Sequence, residues 1–190
     1  IRHFIAIMQK SAGDIAPSGD FDDAPMGPFW RISKADFEQN MRMRLKEIAD
    51  IYAKEKRSKF ENTFLNFIEI YSRTAFTANP LDKVIYTLSA LETLLLKDEK
   101  EGIQQNLAER IAILIGSSLE ERKDIIKIFR SVYGLRSRFL HHGKNIDKWE
   151  HVSRFLQDAR LVFRTVLANV PNFQDKQSFV SAIEDEKLRP

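Results

Sequence analysis

The chain has no cysteine among its 190 residues. That excludes a disulfide framework, a cysteine-ligated zinc site and a thiol nucleophile, and it fits a reducing compartment. A cytoplasmic location is the expectation. No apolar run approaches the roughly 18 residues that a membrane span needs. Ile1 to Met8 has neither the length nor the cleavage site of a signal peptide, and a start at Ile suggests a piece of a longer protein, with a preceding domain as one partner. Glycine and proline number only seven and six. Three of each fall between Gly13 and Pro28, which leaves long stretches free of helix breakers. Net charge is also nearly missing, since 30 basic residues face 27 acidic ones, so no strong overall field marks a partner. Gly-rich phosphate loops, His-Glu-x-x-His pairs, Gly-x-Ser-x-Gly turns and carboxylate clusters spaced like a metal site are absent as well.

What is there is apolar periodicity. With 43% hydrophobic residues the chain can bury one substantial core. Residues 1–32 read as a strand-like segment, whose partners would lie outside this chain, followed by a linker rich in Pro, Gly and Asp. Ser33 and Asp36 suggest a capped helix over 33–58, with Phe37, Met41, Leu45 and Ile48 at helical spacing. Residues 59–171 carry five further stripes. Phe60, Phe64, Phe67 and Tyr71 end before Asn79-Pro80, and Leu81, Val84, Leu88, Leu91 and Leu95 follow. Leu107, Ile111 and Leu114 stop at Gly116, read as a left-handed C-cap. Ser118 with Glu121 then opens a helix carrying Ile125, Phe129, Val132 and Tyr133, which Gly143 can end. Val152, Phe155, Ala159, Val162 and Val166 lead to the stop at Pro171. Residues 172–190 read as a tail with at most one turn of helix. The expected fold is an all-α bundle of about five helices with an N-terminal extension.

Charge is segregated along the sequence. Glu61 to Glu121 holds five basic and ten acidic residues, whereas Arg122 to Arg164 holds eleven basic and four acidic. Such local excess attracts phosphate backbones, or simply solvates a helix face. Within the basic half, Arg136 falls on the stripe of Ile125, Phe129 and Val132, where an arginine is seldom left unpaired. Arg138 falls on the polar side. His141 lies five residues past Arg136, about 140° around an ideal helix, so the two do not face each other. Either the helix ends irregularly or a second subunit completes the pair. His141 and His142 also suit a helix C-terminus as cations. Glu92 shares the stripe of Ile85, Leu88 and Leu95, so it needs a partner. Arg110 and Arg136 are the candidates, and an ion pair accounts for Glu92 more simply than catalysis does.

Three segments in order resemble the HEPN domains (higher eukaryotes and prokaryotes nucleotide-binding), in particular the ApeA-like group. They are Ala90-Leu91-Glu92-Thr93-Leu94-Leu95, Leu107-Ala108-Glu109-Arg110-Ile111-Ala112, and Tyr133-Gly134-Leu135-Arg136-Ser137 leading to His141 and Gly143. The similarity covers roughly Glu61 to Val170. It implies a helical bundle that forms a homodimer, with the arginine and histidine of the last segment near the dimer interface. It also implies RNA as partner and metal-independent endoribonuclease activity in a toxin or phage-defence system, with no cofactor and no metal. Arg136 and His141 would be the catalytic pair, with Ser137, Arg138, His142 and Glu92 in support. Ser137 stands where active members often carry Asn, Asp or His, and His142 competes with His141 for the histidine's role. The alternative that the resemblance implies is a non-catalytic dimerisation, interaction or nucleotide-binding module of a larger protein.

Overall fold

A computed structural model describes residues 7–11, 14–18, 45–98, 101–142 and 149–187, with 7–11, 14–18 and 136–142 given by their backbone. Two compact units divide the chain, Ile1–Ala53 and Lys54–Pro190. In the first, β1 (Ile7–Ser11) pairs antiparallel with β2 (Asp14–Ser18), Ile7 opposite Ser18 and Ser11 opposite Asp14. This corrects the expectation that the first strand has no partner in the chain: its mate is the start of the segment read as linker. Only Ala12-Gly13 separates the two strands, the spacing of a tight hairpin. Helix α1 (Lys46–Ala53) stops short of the expected end at residue 58; residues 33–44, with the Ser33–Asp36 cap, lie outside the described residues.

The second unit is all-α among its described residues. Helix α2 (Lys59–Ser72) starts at a reciprocal cap: the Glu61 amide donates to Ser58 Oγ at 3.0 Å, and the Glu61 carboxylate accepts the Ser58 amide at 2.8 Å. It buries Phe60, Phe64, Leu65 and Phe67. A single-turn 3-10 helix, Arg73–Ala75, follows. Helix α3 (Pro80–Leu95) has Pro80 in its first turn, where a missing amide costs nothing, and the Leu81 amide donates to Asn79 Oδ1 at 2.9 Å. Its buried Val84, Leu88, Leu91, Leu94 and Leu95 are fully shielded from solvent, each contributing about 1.5–3 kcal/mol of transfer free energy.

Helices α4 (Ile103–Ile115), α5 (Leu119–His142) and α6 (Trp149–Asn169) complete the expected five. A sixth, α7 (Lys176–Lys187), occupies what the sequence suggested was a tail. It buries Phe179, Val180 and Ile183, and the Phe179 ring lies 4.7 Å from that of Phe60 and 5.1 Å from that of Phe173. Helix α2 packs on α3, α5 on both α4 and α6, and α7 on α4, while α3 touches each of the other five helices of the unit and is central. No helix among the described residues is long and apolar enough to cross a membrane.

Candidate functional site

All the candidate site residues singled out by the sequence except Glu92 lie on α5, whose start is tightly specified. The Glu121 amide donates to Ser118 Oγ at 3.1 Å, and the Glu121 carboxylate accepts the Ser117 amide at 2.8 Å and its hydroxyl at 2.6 Å. The expected cap therefore forms, with Ser117 taking the reciprocal half. Gly116 is not the left-handed cap expected of it: its backbone is extended, at φ −86° and ψ 120°. Glycine is needed there for room, because a Cβ would sit 2.6 Å from the Ala112 carbonyl oxygen and 2.6 Å from Arg122 Cγ.

From that start α5 runs unbroken to His142, so the irregular end offered for Arg136 and His141 is not what the backbone adopts. Ile125, Phe129, Val132 and Leu135 are buried. Position 136 continues their line. At 100° per residue, position 141 lies about 140° away around the helix and about 7.5 Å along it. The side chains of Arg136, Ser137, Arg138, His141 and His142 lie outside the described residues. Against α5, Phe129 meets Phe155 of α6 edge to face at 5.9 Å, and Ser131 Oγ and His151 Nδ1 are 2.8 Å apart. Further along α6, burial pushes the Asp158 carboxyl up, against the opposing pull of Arg154, whose Nε donates to it at 2.9 Å.

Glu92 is half-buried on α3, less enclosed than its stripe suggested. Arg110, a candidate partner for it, takes its carboxylates from elsewhere. Only 3% exposed, Arg110 donates Nη1 to Glu101 Oε2 and to the Leu95 carbonyl, both at 2.7 Å. Its Nη2 donates to Glu101 Oε1 at 2.8 Å and to Glu184 of α7. Burial works against the charge on Arg110, but the bonds to Glu101 and Glu184 outweigh it and hold its pKa above the ordinary value. Glu101 is held low first by Arg110, and Glu184 first by Lys97, whose ammonium also bonds it. Sequence reasoning missed this cluster. A short-range signal for the Arg110–Glu184 pair is absent, since 74 positions separate the two.

Beside α5 the surface opens into a cleft of about 430 Å³ lined by Gly102, Ile103, Gln104, Gln105 and Arg130. Among the described residues no three of His, Asp and Glu are grouped to hold a metal ion. No protein-family model, curated protein or solved structure matches this chain.

Proposed function

We propose that residues 59–171 form a HEPN-type domain that binds RNA and cleaves it without a metal, using Arg136 and His141 drawn from two copies of the chain. One observation carries this reading. The three segments that resemble the family fall on α3, α4 and α5, helices that pack pairwise on one another, while positions 136 and 141 sit about 140° apart on a continuous helix. A pair so placed cannot close on one phosphate from a single helix face, and a symmetric dimer brings the missing half. The eleven basic residues against four acidic ones between Arg122 and Arg164 support a phosphate-bearing partner.

The chemistry follows from the two side-chain types. A neutral imidazole at His141 accepts the proton of the 2′-hydroxyl, and the 2′-oxygen attacks the adjacent phosphorus. The bond from phosphorus to the 5′-oxygen breaks, that oxygen takes up a proton, and a 2′,3′-cyclic phosphate remains. The Arg136 guanidinium holds the charge that builds on the phosphoryl oxygens. DNA, which lacks the 2′-hydroxyl, is inert. Mixing Arg136→Ala with His141→Ala protein tests the two-copy site. Each variant alone is inactive, while the mixture regains about a quarter of wild-type activity, since half the dimers are mixed and each holds one intact site. A mixture as dead as its components overturns the shared site.

A further inference from the structure

The exposed side of α5 is organised differently from an ordinary solvated helix. Lys123, Lys127 and Arg130 are exposed, and with Gly134 and position 141 they fall within a sector of about 60° at 100° per residue. Between Asp124 and Asp147 there is no acidic residue, although Lys127, Arg130, Arg136, Arg138 and Lys144 lie in that stretch. Solvated helices ordinarily interleave the two signs as i, i+4 pairs. Here none of Lys123, Lys127 and Arg130 makes an ion pair among the described residues. Of the acids nearby, Glu121 and Asp124 face Arg154, Glu109 is held by Lys187 and Gln105 although it also feels Arg130, and the exposed Glu120 lies at the edge of the sector without an ion pair among the described residues.

Gly134 is the second anomaly. It sits inside a 24-residue helix, where glycine costs about 1 kcal/mol relative to alanine. A Cβ built on it meets nothing within 4 Å, so no neighbour among the described residues requires the missing side chain. The open space lies on the basic stripe itself, one turn past Arg130 and the cleft of about 430 Å³ beside it.

We infer that this stripe is the track on which the backbone of single-stranded RNA lies: phosphates on Lys123, Lys127 and Arg130, the strand passing close over Gly134, and a base entering the cleft lined by Gln104 and Gln105. The inference rests on the RNA reading above and gives that site its approach. Arg130 and position 141 are about 16 Å apart along the axis, so the anchored strand reaches the catalytic histidine within a few nucleotides. Gln105 donates one amide hydrogen to Glu109 Oε1 at 3.0 Å and Gln104 one to the Arg130 carbonyl at 3.5 Å, which leaves each a second amide hydrogen and a carbonyl oxygen for a base edge. An acidic protein segment would satisfy the charges but has no use for the cleft.

Binding of a fluorescent 2′-O-methyl single-stranded RNA, which cannot be cut through its 2′-oxygen, is measured by anisotropy across a salt series. The triple variant Lys123→Gln, Lys127→Gln, Arg130→Gln should bind on the order of tenfold more weakly, with a salt slope shallower by about two, at about 0.7 for each of three phosphate contacts. Gly134→Leu should melt at or above the wild-type temperature and still lose affinity, which separates blocked approach from damaged folding. A charge-matched triple outside the Arg122–Arg164 stretch, Lys56→Gln, Lys59→Gln, Arg73→Gln, all exposed, should keep most of the affinity. Wild type that binds RNA while the α5 triple or Gly134→Leu binds equally well overturns the track and leaves the RNA reading standing. Equal losses in both triples also overturn it, and wild type that binds no RNA overturns both.

Discussion

Replacing Arg110 by methionine should cost the bundle about 3 kcal/mol. Arg110 is, with Asp158, the most enclosed charged residue in the described structure, with its side chain 4% exposed and Glu101 at 15%. Removing one member of a buried pair typically costs about 3–5 kcal/mol, because the remaining charge is stranded. Glu184 is 39% exposed and keeps Lys97, so water and a second cation absorb part of the loss. Glu101 keeps the Lys97 amide as a donor at 3.0 Å and feels the Lys97 charge, which puts the figure near the low end. At about 2.1 cal/mol/K per residue of unfolding entropy, 3 kcal/mol corresponds to a fall of about 10 °C in melting temperature for a unit of this size. Urea and thermal unfolding followed by circular dichroism measure both. The pH dependence is a second signature. Arg110 and Lys97 hold Glu101 and Glu184 below the ordinary carboxylate range, so their contribution is full above about pH 4.3 and is lost as pH falls through the depressed folded values. The variant should therefore show a flatter acid limb. A loss below about 1 kcal/mol with an unchanged acid limb would refute the reasoning, since a stranded buried carboxylate costs more than that.

Three other substitutions probe separate parts of the account. Thr87 is fully buried and its hydroxyl has no hydrogen-bond partner among the described residues, so Thr87→Val should stabilise by about 1 kcal/mol in urea unfolding; equal destabilisation would mean that the hydroxyl is satisfied. Gly116→Ala should destabilise by about 1–3 kcal/mol, because the backbone oxygen of Ala112 cannot move aside as a side chain can, and a neutral result would contradict the close approach. Phe179→Ala should cost about 3–5 kcal/mol if α7 is an integral part of the core; a change below 1 kcal/mol would make α7 the tail that the sequence suggested.

The bundle was legible because its helices are long and their apolar stripes are regular. Asn79-Pro80 and Ser118–Glu121 also announce helix starts through local chemistry. Gly116 was misread since a glycine after a helix suits a left-handed cap as well as a crowded contact, and only the neighbour across the turn decides between them. Helix α7 escaped because it is short and its three core residues are outnumbered by Lys176, Glu184, Asp185, Glu186 and Lys187. Its stability comes from packing on Phe60 and from Glu184, partners that sequence spacing does not reveal. The same limit hid the cluster at Arg110. On α5, register placed positions 136 and 141 on different faces, and the unbroken helix keeps that geometry.

The central claim is tested most directly by incubating a labelled single-stranded RNA in EDTA with wild type, Arg136→Ala and His141→Ala proteins and identifying the product ends by mass. The account predicts cleavage by the wild type that leaves 2′,3′-cyclic phosphates, and no cleavage by either variant while both melt as the wild type does. Intact RNA with every protein, across several RNA sequences, or cleavage that persists in the folded variants, would contradict it.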